Sequence, residues 1–223
     1  MIKRFFDILV ASVGITVLSP ILLAIACRIK REDDGPFFYR GTRVGLHGTP
    51  FRIYKFRTMV VDAEKLGASS TSDDDLRITR IGRCLRKYKL DEMPQLINVL
   101  VGDMSLVGPR PEVTKFTDLY TDEERLILTV RPGITDWASI WNSDEGAVLA
   151  GAADPDKAYM ELVRPTKLKL QIKYVKEHSF WVDLKIIFLT AIAIVQPQSQ
   201  AVSEIRRGSE KTHYEKRKKA RVD

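Results

Sequence analysis

The 223-residue chain is short of the residues from which disulfide scaffolds and zinc sites are built. Its two cysteines, Cys27 and Cys84, exclude a disulfide-stapled fold, and three scattered histidines offer no zinc-ligand spacing. No internal repeat is present, which excludes a solenoid. A basic body is missing too. The formal charge is +7, but Ser203–Asp223 alone holds eight Lys/Arg against four Asp/Glu, so most of the excess sits in the tail. Basicity therefore gives no argument for nucleic acid. At 44% hydrophobic the chain can build a core and is not disordered, and its length suits one domain plus an appendage.

The most informative absence is local. From Ile8 to Cys27 there are 20 residues without a formal charge. At ~1.5 Å per residue a straight helix of that length just crosses a ~30 Å hydrocarbon layer. A cleaved signal is one reading, because Met1–Arg4 is basic and Ala24–Cys27 loosely resembles a lipobox. Asp7 and the length of the run weigh against it. A simple span is the second reading. The third is a helix that enters the bilayer and turns back, and two features favour it. Pro20 after Ser19 removes an amide donor mid-run, so a bend is expected there, with Ser19 satisfying a freed backbone group. Basic residues also flank both ends: Lys3 and Arg4 before, Arg28, Lys30, Arg31, Arg40 and Arg43 after. Folding at Ser19-Pro20 keeps both flanks in the cytosol, as the positive-inside rule asks.

Beyond this segment the pattern reads as helix-rich α/β. Three regions are expected: a re-entrant membrane helix over 1–31, a cytosolic-face catalytic domain over 32–195, and a basic, disordered tail over 196–223. Phe37–Arg40 and Thr49–Met59 read as strands of a small hairpin around Gly45–Gly48. Helical patterns follow at 62–75 (dissolving into a polar loop), 76–88, 91–101, 121–129 and 155–178, the last interrupted at Pro165. Phe180–Val195 is too short in its uncharged part to cross a bilayer. It suits an amphipathic helix in the membrane surface, or equally a buried core helix. Lys216–Lys219 in the tail suits contact with anionic lipid.

Cations concentrate between Lys55 and Arg110: Lys55, Arg57, Arg77, Arg80, Arg83, Arg86, Lys87, Lys89 and Arg110. A solvated helix face explains such a run; so does an anion site, since guanidinium matches phosphate oxygens. Arg110 lies between Pro109 and Pro111, and a stiff loop presents a charge at small entropic cost. Asp91-Glu92 follows the basic helix directly. As helix-start acids they suit capping. Among arginines, an ionised Asp91 is favoured and can attack phosphorus, while Glu92 can hold Mg²⁺. Asp73-Asp74-Asp75 fits the loose D-x-D pattern of metal-dependent sugar transferases but equally caps the next helix.

The block RITRIGRCLRKYKLDEMPQLINVLVGDMSLVGPRPE (Arg77–Glu112), with IYKFRTM (Ile53–Met59) and VRPGIT (Val130–Thr135), closely resembles the bacterial sugar transferases called monotopic phosphoglycosyl transferases. The likeness runs from Lys3 to about Val195 and includes KRFFD, the Ser19-Pro20 pair and FWVDLKIIFLT. It implies a re-entrant helix bent at Ser19-Pro20 and an active site at the cytoplasmic face of the bacterial inner membrane. Asp91 matches the family's nucleophile, Glu92 its acidic partner, and Arg110 the arginine that meets the donor's phosphate. Lys55, Arg86 and Asp103 fall in motif positions around them.

The implied reaction transfers a sugar-1-phosphate from a UDP-sugar to undecaprenyl phosphate, with Mg²⁺ at Glu92 and Asp91. Membrane lipid is a further expected partner, nucleic acid is not, and a homodimer stays open. Two rivals compete: a membrane-tethered adaptor that binds nucleotide or lipid phosphate without turnover, and a metal-dependent glycosyltransferase that releases UDP. Family members commonly read PGITGWAQVNGR where this chain has PGITDWASIWNSDEG (Pro132–Gly146). Asp136, Ser139 and Trp141 thus bear on sugar or uridine recognition.

Overall fold

The computed structural model describes residues 2–32, 34–66, 70–142, 145–196, 199, 203 and 205. Most of the expected basic tail therefore lies outside the described residues. The uncharged stretch forms one helix, α1 (Ile2–Glu32), which continues through Pro20. Proline leaves the Thr16 carbonyl without its helical donor, and the Ser19 hydroxyl donates to that oxygen at 2.8 Å. Only Asp7, Ala11, Ile25 and Ile29 of α1 are buried. Phe5, Val13, Val17 and Leu23 are exposed, and the helix is long and apolar enough to cross a membrane.

Both ends of α1 are fastened to the body. Near the start, Lys3 donates to the Val107 carbonyl at 3.0 Å and pairs with Asp183 at 2.5 Å. Arg4 donates to the carbonyls of Val99 and Leu100 at 2.6 and 3.0 Å, in the last turn of a helix. Buried Asp7 accepts from Ser105 Oγ at 2.8 Å and the Leu106 amide at 3.2 Å. At the far end Ile25 and Ile29 pack with Phe56 and Leu85, and Glu32 accepts from the Arg80 amide at 3.0 Å.

The expected hairpin is present as two short antiparallel ladders. β1 (Phe38–Tyr39) pairs with β4 (Lys55–Phe56), and β2 (Thr42–Val44) with β3 (Pro50–Arg52). The break between them has a cause: the Tyr54 amide donates to the buried Asn98 side chain at 2.8 Å instead of to a strand. A parallel pair, β5 (Ser105–Val107) with β6 (Gly133–Thr135), was not expected from residue patterning.

The helices are shorter than the periodicity predicts. α2 is Arg80–Lys87, capped by Thr79, because Ile78 is drawn into a bridge with Met59. The predicted start of the next helix is a separate 3-10 turn, Leu90–Glu92, followed by α3 (Gln95–Val101). Gly102, at φ 98°, ends α3 in the left-handed conformation that glycine adopts freely. Three short helices follow that the sequence does not announce: α4 (Thr114–Thr117), α5 (Trp137–Trp141) and α6 (Glu145–Leu149). The predicted helix at 121–129 is a 3-10 segment, Glu124–Thr129. The predicted 155–178 helix divides into α7 (Pro155–Ala158), a π turn (Tyr159–Val163) and α8 (Arg164–Glu177). Pro165 sits in the first turn of α8, where its missing donor costs little.

α9 (Phe180–Val195) has the predicted bounds, with one side in the core and the other exposed. Ile186 and Leu189 enter the main core beside Ala11, Leu96 and Val107, while Trp181, Phe188 and Ile194 face outward. The architecture is thus helix-rich with small sheets.

Candidate functional site

Three segments converge on the turn that carries Glu92. Lys55 from β4 pairs with Glu92 Oε1 at 2.7 Å. Arg110, from the loop between β5 and α4, grips both carboxylate oxygens: Nη1 donates to Oε2 at 2.9 Å, and Nη2 to Oε1. Arg86 from α2 leans in from the side, its Nε donating to Thr58 Oγ1 at 2.9 Å. Asp91 lies beside this knot with 8% of its surface exposed.

The 3-10 turn that carries the acids explains their placement. Lys89 enters it at φ 55°, a left-handed conformation that is costly for a side-chain-bearing residue. The resulting corner separates Asp91 from the axis of α3, so the capping role is not the one the structure gives it. α3 starts from Pro94 with no side-chain cap.

The two adjacent acids are shifted in opposite directions. Burial pushes the Asp91 carboxyl up, and the nearby Lys55 charge only partly offsets it. The sequence expectation counted the arginines and omitted this desolvation. Burial acts upward on Glu92 as well, but Arg110 and Lys55 together hold its carboxyl well below the usual carboxylate range. Environments that drive two carboxyls apart are how a single site assigns different roles to them.

The remaining cations divide. Arg57 is buried, its Nε donating to the Pro36 carbonyl at 2.5 Å, and Arg77 pairs with Asp75 at 2.6 Å. Arg80, Arg83, Lys87 and Lys89 are exposed. Asp103 stands outside the knot and acts on it through Asn98. The Asn98 amide donates to Asp103 at 3.1 Å and to the Arg52 carbonyl at 2.9 Å, bracing the strand that leads to Lys55. In the D-x-D candidate, Asp75 is occupied by Arg77 and Asp74 accepts from the Gly151 amide at 3.1 Å. Ser19 and Pro20 lie mid-α1, both exposed.

Residue patterning missed a second buried knot behind the Pro-Arg-Pro loop. Lys167 of α8 pairs with Glu112 at 2.5 Å, and the Tyr159 hydroxyl donates to the same carboxylate at 2.5 Å. Burial would lower the Lys167 ammonium, but Glu112 and Glu145 raise it well above the usual range. Glu112 was visible as part of the PRPE run; Lys167, one lysine in a long amphipathic stretch, carried no signal. Asp136, singled out in sequence as a departure from the family pattern, is placed beside Arg110. It is fully buried, caps α5 through the Ser139 amide at 2.7 Å, and accepts from the Arg110 amide at 3.2 Å.

As a metal site, Asp91 and Glu92 supply two carboxylates, and among the described residues no larger cluster of potential ligands occurs. Two carboxylates suit Mg²⁺ when substrate phosphates complete its shell.

A helix long and apolar enough to cross a membrane and an acid pair set among cations are the features that mark the class. The chain belongs to the bacterial sugar transferase family, whose model matches residues 1–197. It is 42% identical over 197 residues to a UDP-N-acetylgalactosamine-undecaprenyl-phosphate N-acetylgalactosaminephosphotransferase of Aeromonas hydrophila, covering 87% of this chain and 44% of that relative. A UDP-glucose:undecaprenyl-phosphate glucose-1-phosphate transferase of Escherichia coli (strain K12) is 37% identical over 196 residues, covering 85% and 39%. The uncharacterized sugar transferase EpsL of Bacillus subtilis (strain 168) is 38% identical over 190 residues, covering 85% of each chain. The chain thus spans less than half the length of the first two relatives.

Proposed function

We propose that the chain moves a sugar-1-phosphate from a UDP-sugar to undecaprenyl phosphate, by way of an aspartyl-phosphosugar intermediate on Asp91. A single observation carries the reading: the nearest cations are engaged by Glu92, which leaves Asp91 a buried carboxylate of raised basicity beside them. Such a group is the more nucleophilic of the pair once ionised. An Asp91 oxygen attacks the sugar-side phosphorus of the donor. The new O–P bond forms as the bond to the bridging oxygen breaks, and UMP leaves with that electron pair. An oxygen of the lipid phosphate then attacks the same phosphorus and breaks the bond to Asp91. The products are UMP and lipid-diphospho-sugar, and the carboxylate is restored.

Lys55, Arg86 and Arg110 stabilise charge on the phosphoryl oxygens, the largest catalytic contribution in reactions of this type. Glu92, with Asp91 alongside, would hold Mg²⁺, which when bound offsets the charge of the diphosphate. Glu92 otherwise keeps Lys55 and Arg110 directed at the site until the donor's phosphates draw them away.

Membrane re-entry is part of the reading and is supported by where α1 is tied. Its start meets β5 and α9, its end meets α2, and all belong to one body. A 31-residue helix is about 46 Å long, enough to carry its ends to opposite faces of a bilayer if it crossed. Attachment of both ends to the same body favours a helix whose ends stay on one face. The site would then stand where a soluble donor meets a lipid acceptor.

The test is to incubate the chain with UDP-sugar alone and weigh it. A mass increase of one sugar phosphate, discharged by undecaprenyl phosphate with UMP as the released nucleotide, supports the mechanism. Release of UDP points to a direct glycosyltransferase, and binding without turnover to an adaptor.

A further inference from the structure

Pro109 and Pro111 have no backbone N–H, so the amide of Arg110 is the one main-chain donor of residues 109–111. That donor is claimed by a residue 26 positions downstream: Asp136 Oδ2 accepts it at 3.2 Å. The Arg110 carbonyl is taken by Gln171 Nε2 of α8 at 3.3 Å, and the same nitrogen donates to Asp136 Oδ2 at 3.2 Å. Both side chains are 0% exposed. The other Asp136 oxygen is fixed by the Ser139 amide and hydroxyl at 2.7 and 2.8 Å. Every polar group of the Arg110 peptide thus ends in a buried partner on α8 or at the start of α5.

We propose that Asp136 and Gln171 form a positioning clamp that sets the direction of the Arg110 guanidinium toward the donor's diphosphate. The proposal rests on the reading of Arg110 as the donor-phosphate residue. Two prolines fix φ on either side of Arg110 but leave its peptide planes free to rock. The clamp removes that freedom, and a displacement of about 1 Å at a phosphate-binding group is costly to catalysis. In this chain the task falls to an aspartate at a position where the resembling family commonly has glycine. The aspartate at this position would therefore act through the arginine.

Asp136→Asn tests this because it separates two roles. Asparagine still caps α5 with its oxygen, so the helix is kept. Its amide nitrogen then faces the Arg110 and Gln171 donors, so the clamp is lost. Gln171→Met, similar in volume, loses the bonds to the Arg110 carbonyl and to Asp136 Oδ2 without touching the cap. The full-length protein in detergent is titrated with a UDP-sugar by calorimetry, with thermal midpoints recorded for every variant. Each substitution should weaken binding about tenfold, as expected when a buried donor is orphaned. In an Arg110→Ala background neither should weaken it further, since there is no guanidinium left to direct. Undiminished binding in both variants, or losses that simply add to that of Arg110→Ala, would overturn the clamp. Wild-type protein that binds UDP-sugar but never releases UMP with lipid phosphate would refute the transfer reaction, and the binding cycle would still decide the clamp. Failure of the wild type to bind any UDP-sugar would end both.

Discussion

Glu92 holds the Arg110 guanidinium through both of its carboxylate oxygens and shares one of them with Lys55. The acid beside Asp91 is therefore already paired with two cations, whereas burial opposes charge on Asp91. Substituting the two acids should have opposite effects on stability.

Asp91→Asn should raise the thermal midpoint at neutral pH while lowering UMP release by roughly 10³-fold or more, the usual scale for loss of a nucleophile. The sign follows from linkage. A carboxyl whose folded pKa is raised holds its proton where the unfolded chain has lost it. Its ionisation therefore costs stability as pH climbs from the ordinary ~3.9 through the raised value. Glu92→Gln should do the reverse and destabilise by about 2 kcal/mol, since Lys55 and Arg110 lose a partner in a partly buried site. Its depressed carboxyl contributes stability above the ordinary ~4.3, lost as pH falls through the folded value. Parallel melting curves of both variants at neutral and acidic pH check this.

The acid limb of the pH–rate profile should lie above the ordinary aspartate range, because turnover needs Asp91 ionised and burial opposes that. Lys55 is the strongest of the charges that counter burial. Lys55→Met should therefore move the limb to higher pH, in addition to any loss of maximal rate. The measurement is kcat/KM for UMP release across acidic to neutral pH. A limb that stays put in Lys55→Met would mean that another group sets it.

These electrostatics show where residue patterning stops. Asp91, Glu92 and Arg110 stood out by neighbours in sequence: two acids after a basic helix, and a cation between prolines. The ends of α9 were legible because Ser179 stands before a mostly apolar stretch of 16 residues. The two short ladders were not, because what divides them is Asn98, more than forty residues away, capturing the Tyr54 amide. Gln171 and Lys167 escaped for the same reason. Each looks like an ordinary surface polar residue until the chain folds and buries it against a distant partner. The sign of the Asp91 shift was also out of reach, since counting charges says nothing of desolvation.

Re-entry predicts which side of the membrane the ends of α1 occupy. Cys27 and Cys84 are exposed and would report first, so both are changed to serine. Single cysteines are then placed at Ile2, 73% exposed, and at the exposed Arg31. In right-side-out spheroplasts an impermeant maleimide should label neither until the cells are opened. Labelling of one alone before opening would show a crossing helix.

Gly82→Ala sets helix propensity against packing. Alanine is favoured over glycine inside a helix by about 0.8–1 kcal/mol. An added Cβ at this position of α2, however, would collide with the Thr58 carbonyl, which is backbone and has nowhere to go. Overpacking of that kind costs about 1–3 kcal/mol, so the net change should be destabilising. The damage should also reach the site, because Thr58 also anchors Arg86, one helical turn beyond Gly82. Pushing α2 away from Thr58 withdraws that guanidinium from Asp91. A lowered midpoint together with a fall in UMP release is expected for Gly82→Ala, and neither for Cys84→Ala, an exposed position on the same helix. If Gly82→Ala instead stabilises the protein, α2 stands farther from Thr58 than this packing requires, and Arg86 has to be held by something else.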